Sequence, residues 1–365
     1  MPDPFGNRPV READKGVFIF RYSQSSHSRP IASDREATER TPYNTIVRVC
    51  NTPPIHHNGF RHLLHVPTIG IKHMTSANRT LFTLVQNLKI AGEAFGPSQG
   101  RPVLLAHGGG QTRHAWRACG KTLGENGYYA LAVDLRGHGE SDWSPDGDYR
   151  MERFAEDILD IADGFRVPPI LVGASLGGIA GMIAQGEYAK AGRRGFAALV
   201  LVDITPQMNM EGVQKILGFM SENLEEGFAS LEEAADTISR YMPGRARPKD
   251  LSGLAKNLRL RENGRYYWHW DPRFITGPQK PQGSREPERL EIAARSLKIP
   301  TLLVRGRNSD LVTVEAARQF AEIVPHSEFV DVANAGHMVA GDKNDIFTTA
   351  VLDFLKRMAP AASAS

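Results

Sequence analysis

A serine, an acid and a histidine in this chain have the residue types and neighbours that nucleophilic acyl transfer requires. Ser175 stands in Gly173-Ala174-Ser175-Leu176-Gly177, directly after the apolar run Pro169-Ile170-Leu171-Val172 and ahead of a helix-like segment. In a strand-to-helix turn the serine backbone is strained, and glycine two positions to either side leaves room for it, so the hydroxyl projects above the sheet edge. The pentapeptide alone carries little weight, because a chain with 35 glycines produces such spacings by chance. A serine hydroxyl is also a poor nucleophile at neutral pH and needs a base to take its proton as the new bond forms.

The rest of the chain supplies candidates for the other parts. Val103-Leu104-Leu105-Ala106 runs into His107-Gly108-Gly109-Gly110, a buried-strand pattern ending in a loop whose glycines can offer backbone N–H groups to a developing oxyanion. Thr301-Leu302-Leu303-Val304 leads to Asp310 through Arg305-Gly306-Arg307-Asn308-Ser309, and Glu328-Phe329-Val330-Asp331-Val332 leads to Gly336-His337. Serine, acid and histidine therefore each fall at or just beyond a strand end, in the chain order Ser175, Asp310, His337.

That order, with the four motifs, carries a resemblance. From about residue 78 to 358 the chain resembles the α/β-hydrolase superfamily with a helical cap, through His107-Gly108-Gly109, Asp134-Leu135-Arg136-Gly137-His138-Gly139-Glu140-Ser141, the Ser175 elbow and Gly336-His337. It is similar to the esterase, lactonase and cofactor-free haloperoxidase-like branch. The triple glycine is also found in hormone-sensitive-lipase-like esterases, but those carry Gly-Asp-Ser-Ala-Gly at the elbow. The resemblance implies Ser175 as nucleophile, His337 as general base and Asp310 as the acid that orients it, with the backbone N–H groups of Gly109 and Leu176 as the oxyanion hole. It implies neither a cofactor nor a metal.

Other polar residues have competing roles. Asp203 ends Leu199-Val200-Leu201-Val202, where some superfamily members place their acid, and otherwise braces the turn before Thr205-Pro206. His138, Asp134 and Arg136 read as loop-bracing residues, and His107 as shaping the oxyanion loop. His114 and Trp116 either border the pocket or sit on the first helix. Tyr266-Tyr267-Trp268-His269-Trp270-Asp271-Pro272 concentrates aromatics in a chain with four tryptophans, so it is either a small cap core or a pocket wall, with Trp268 and Trp270 as the substrate-binding candidates.

Placing these residues requires a mostly parallel sheet. Apolar runs at 81–85, 88–91, 103–106, 129–134, 169–174, 197–203, 301–306 and 327–332 alternate with helical segments, which predicts an eight-stranded α/β sheet covered by helices on both faces. Met151 to Phe165 and Asp345 to Met358 show apolar stripes at helical spacing. The expected division is a core of 74–205 and 296–358, a cap of 206–295, and disordered tails at 1–73 and 359–365. Residues 1–73 lack periodicity, and Met74 is a candidate native start. His56, His57, His62 and His65 lie in that tail with no carboxylate or cysteine accompanying them in a predicted scaffold, a poor metal set.

A formal charge of +3, with basic and acidic residues intermixed, gives no reason to expect nucleic acid. No apolar run spans a bilayer, and two cysteines, Cys50 and Cys119, make no disulfide framework, so the expectation is a soluble cytoplasmic protein acting on a small molecule. The leading reading is cleavage of an ester, lactone or thioester through an acyl-enzyme. The alternatives are C–C bond hydrolysis or perhydrolysis on the same triad, and a catalytically silent binding protein on the same fold.

Overall fold

The computed structural model describes residues 17–21, 79–83, 88–188, 193, 195–242, 247, 250–282, 286–333, 335–339 and 344–358. Nine strands form one sheet: β1 (Val17–Arg21), β2 (Arg79–Thr83), β3 (Lys89–Phe95), β4 (Arg101–Ala106), β5 (Tyr128–Val133), β6 (Ile170–Ala174), β7 (Ala198–Val202), β10 (Thr301–Gly306) and β11 (Glu328–Val332), in the order β1-β11-β10-β7-β6-β4-β5-β3-β2. The central pairs are parallel, and the antiparallel pairs lie toward the edges. The eight expected strands are all present.

The ninth, Val17–Arg21, lies within residues 1–73, where the sequence reading expected a disordered tail. Val17–Arg21 pairs antiparallel with β11 along its whole length, Ile19 opposite Val330. An edge strand borrows half its order from its neighbour, so an isolated five-residue run carries too little periodicity to be recognised. The remaining calls on 1–73, including Cys50, the four histidines and Met74, and the call on 359–365, lie outside the described residues.

Strand residues alternate between two cores, as a sheet buried on both faces requires. Leu104, Ala106 and Leu171 face a core built with α2 (Met151–Asp163), α3 (Leu176–Ile183), α8 (Pro287–Arg295) and α9 (Val314–Ile323). Val103, Leu105, Ile170 and Val172 face the other, with α1 (Arg117–Glu125) and α10 (Asn344–Met358). The predicted stripes are its packing faces: Phe154, Ile158 and Leu159 of α2 and Phe347, Val351 and Phe354 of α10 are all buried. Trp116 is buried against Phe347, which settles its place as packing.

Between β7 and β10 the chain inserts α4 (Met210–Ser221), α5 (Leu231–Tyr241), two four-residue helices, α6 (Ser252–Ala255) and α7 (Arg273–Thr276), and the hairpin of β8 (Leu258–Leu260) and β9 (Tyr266–Trp268). The helix Pro287–Arg295, expected within the cap, belongs to the core instead. Its Leu290, Ala293 and Ala294 are buried there, and a Cβ at Gly186, just after α3, would stand 2.6 Å from the Ala293 carbonyl oxygen.

Candidate active site

Ser175 sits between β6 and α3 with φ 43° and ψ −110°, a conformation that disfavours a residue with a Cβ. The flanking glycines have no steric alternative. A Cβ on Gly173 would lie 2.6 Å from the backbone of Gly177, and one on Gly177 would lie 2.5 Å from the carbonyl oxygen of Ala106. The pentapeptide is thus read correctly from sequence as an elbow.

The strands on either side of β6 deliver the flanking parts. β4 leads into the His107–Gly110 loop, and the N–H groups of that loop are committed one by one. Gly108 N–H donates to Gln111 Oε1 at 2.9 Å, Gly110 N–H to His138 Nε2 at 3.1 Å, and Gln111 N–H to Gly108 O at 3.1 Å. Gly109 N–H has no acceptor among the described residues. The same holds for Leu176 N–H, which as the first residue of α3 has no intrahelical acceptor. These are the two donors expected of the oxyanion hole, and both residues line one cavity with Ser175.

β7 delivers the carboxylate that meets the histidine, where the sequence reading expected Asp310. His337 Nδ1 donates to Asp203 Oδ2 at 2.7 Å, and Asp203 is fully buried. Asp310 instead pairs with Lys215 at 2.6 Å, with the two side chains 62% and 55% exposed. The end of β10 and the loop after it contribute donors to Asp203: Gly306 N–H reaches Oδ1 at 3.1 Å, and the Ser309 hydroxyl reaches Oδ2 at 2.5 Å. Asp203 has φ 53°, a left-handed conformation that Asp tolerates better than most residues, and this turn aims its carboxylate across β10 toward His337. With Nδ1 donating to a carboxylate, the neutral ring keeps Nε2 as the lone-pair nitrogen, the tautomer a general base needs.

Three buried histidines support the oxyanion loop. His107 Nε2 accepts from Leu135 N–H at 2.9 Å, so its Nδ1 carries the proton and donates to Gly108 O at 2.8 Å. His138 Nε2 accepts from Gly110 N–H, leaving Nδ1 to donate to Arg136 O at 2.9 Å. His269, from the cap, accepts from Gly139 N–H at 2.7 Å through Nδ1, and its Nε2 faces Gly110 O at 3.3 Å. Burial holds all three neutral, pushing His107 down to about 4, His138 down to about 3, and His269 well below its ordinary value. Asp134 and Arg136 brace loops as expected, but with separate partners: Asp134 pairs with Arg113, and Arg136 with Asp157.

Gln111 is the residue that sequence reasoning missed. Beyond holding Gly108 N–H, its Nε2 lies 2.9 Å from Met338 Sδ, next in chain to His337, so one side chain joins the oxyanion loop to the histidine loop. No spacing rule marks such a contact.

The cavity above Ser175 measures about 710 Å³ and includes His337, Gly109 and Leu176. Its walls are mainly cap residues and apolar, among them Met220, Phe219, Trp268, Trp270 and Phe274. Trp268 and Trp270 stack at 4.7 Å with an 11° interplanar angle and are 5% and 2% exposed. They are therefore cap core and cavity wall at once. His114 borders the cavity. Cys119 lies on the far face of the sheet, its thiol pushed up to about 12 by burial.

The profile of the α/β-hydrolase fold family matches residues 101–343, a span from β4 to the segment before α10. This chain belongs to the α/β-hydrolase fold family. The hydrolase is 31% identical over 268 residues to an esterase of Mycobacterium tuberculosis, an alignment covering 71% of this chain and 84% of the relative. It is 29% identical over 276 residues to a non-heme chloroperoxidase of Kitasatospora aureofaciens, covering 71% and 94%. Among solved structures, E-2-(acetamidomethylene)succinate hydrolase superposes with a TM-score of 0.67 at 21% identity over 77% of this chain and 100% of the other, a likeness of fold. Among the described residues of the hydrolase, no helix is long and apolar enough to cross a membrane.

Proposed function

We propose that this α/β hydrolase is a serine hydrolase that cleaves an ester, lactone or thioester of a small, largely apolar molecule through an acyl-enzyme, with Ser175 as nucleophile, His337 as base and Asp203 as the orienting acid. The observation that carries the reading is the convergence on one cavity of a strained serine, a histidine whose Nδ1 is held by a buried carboxylate, and two uncommitted backbone N–H groups at Gly109 and Leu176.

In this mechanism His337 Nε2 takes the Ser175 proton as Oγ attacks the carbonyl carbon, and the oxyanion is received by Gly109 and Leu176. The imidazolium, stabilised by Asp203, returns the proton to the leaving alcohol or thiol. Water then enters, gives its proton to His337, attacks the acyl carbon and releases the acid while Ser175 Oγ is reprotonated. The apolar walls of Phe219, Trp268, Trp270 and Phe274 suit an apolar acyl or alcohol part. The decisive experiment is labelling with a fluorophosphonate probe, with p-nitrophenyl esters of increasing chain length and a set of lactones as substrates. Labelling at Ser175, lost together with turnover in Ser175→Ala, is the expected result. Undiminished hydrolysis by that variant overturns the nucleophile and the acyl-enzyme alike.

A further inference from the structure

Charge in the cavity is one-sided. Among the described residues lining it there is no aspartate or glutamate, while Arg117, Lys256 and Lys280 all border it. Arg117 is already neutralised by Glu93, which accepts from Nε at 3.2 Å and from Nη2 at 3.0 Å. The two lysines are not: among the described residues neither forms an ion pair, whereas Lys121 and Lys215 reach Glu125 and Asp310. Lys280 is half-buried, and the peptide before it is pinned by a hydrogen bond from Tyr149 N–H to Gln279 O at 2.9 Å. It lines the same cavity as Phe274 and Ile275 of α7, and Phe274 adjoins Gly109, where a Cβ would meet its ring at 3.4 Å. Lys256 follows α6 at a more exposed part of the lining, beside Leu254 and Asn257.

A cation on an apolar wall without a counter-ion raises the local potential, and low-dielectric walls focus that potential into the cleft. Among the described residues no carboxylate pairs with either lysine, so a negative partner can come from a ligand. Resting on the serine-hydrolase reading above, we propose that the preferred substrate is an anionic amphipathic ester: an apolar chain along the Met220, Phe219 and Trp268 wall, with a carboxylate that meets Lys280 or Lys256. The lysines then act in specificity and take no part in proton transfer.

The test compares the mono-p-nitrophenyl ester of a linear dicarboxylic acid with the p-nitrophenyl ester of the monocarboxylic acid of equal chain length. At low salt the half-ester should have a kcat/KM about tenfold higher or more, and 0.5 M sodium chloride should compress that ratio. Lys280→Gln, Lys256→Gln or the double variant should bring the ratio toward one. A second readout does not depend on turnover: a long-chain carboxylate should protect Ser175 from the fluorophosphonate probe at lower concentration than the alcohol of the same length. A half-ester cleaved no better than the neutral ester, equal protection by acid and alcohol, or a ratio unchanged in the double variant overturns the anionic substrate while leaving the serine mechanism standing. Absence of labelling at Ser175 in the native protein overturns the serine mechanism itself, and the inference with it.

Discussion

Replacing Asp203 by asparagine tests the proposed acid at nearly constant shape. The carboxylate has two distinct oxygens: Oδ1 accepts from Gly306 N–H, and Oδ2 accepts from both the Ser309 hydroxyl and His337 Nδ1–H. With asparagine, keeping the carbonyl oxygen on Gly306 N–H puts the amide NH2 against His337 Nδ1. The ring must then accept there and carry its proton on Nε2, where it cannot take the serine proton. Flipping the amide restores the tautomer but sets NH2 against the buried Gly306 N–H, an unsatisfied donor worth about 1–3 kcal/mol. Either arrangement also removes the negative charge that stabilises the imidazolium. Loss of the correct tautomer in this way costs about 10⁴-fold in kcat, or about 5 kcal/mol of transition-state stabilisation. Asp310→Asn breaks only an exposed pair with Lys215, for which about 0–1 kcal/mol of stability and less than a threefold change in kcat are expected. The assay is steady-state hydrolysis of a p-nitrophenyl ester together with the rate of fluorophosphonate inactivation, with thermal melts to show that both variants fold. If Asp310→Asn lost more activity than Asp203→Asn, the hydrogen bond between His337 and Asp203 would be incidental and the assignment of the acid would fail.

Other outcomes follow from the same geometry. Gln111→Ala should lower kcat about 10- to 100-fold with KM changed by less than about threefold, because it frees Gly108 N–H and the Met338 contact without touching the apolar walls; an effect confined to KM would refute a positioning role. His107 and His138 have depressed pKa values in the folded protein, so the unfolded chain binds protons first as pH falls, and their contribution is complete above about pH 6.5 and lost below it. At pH 5 this amounts to about 2 kcal/mol for each, and His269 acts in the same direction. Urea unfolding at pH 7.5 and pH 5 checks it, and equal midpoints would count against the neutral cluster. Trp270→Ala should cost about 3–5 kcal/mol of stability, since the ring is buried and stacked on Trp268, and should also change the ranking of ester chain lengths. A stable variant with unaltered selectivity would remove Trp270 from both roles.

Much of this molecule was legible in one dimension. Apolar runs of strand length separated by helical stripes determine a parallel sheet covered on two faces, since no other arrangement buries both patterns. Gly173, Ser175 and Gly177 determine the elbow, because their spacing matches a local steric requirement that the backbone contacts of both glycines bear out. Gly109 and Leu176 were placed correctly beside Ser175 for a related reason: each follows its strand within a few residues, so chain position and spatial position coincide. The five residues of β1 escaped because an edge strand takes its order from its partner, β11.

Which carboxylate meets His337 was a tertiary decision. Asp203 and Asp310 both follow apolar strands, and sequence order ranks neither above the other. In space, β7 adjoins β6 while β10 lies one strand further out, and the left-handed turn at Asp203 directs its carboxylate back across β10 to meet His337. Asp310, four residues past the end of β10, is carried out to solvent and to Lys215. The bridge made by Gln111, the clamping of Gly110 between His138 and His269, and the gathering of Lys256 and Lys280 at the cavity share that origin. Each joins groups far apart in the chain, and local propensity encodes only what lies within a turn or a strand of itself.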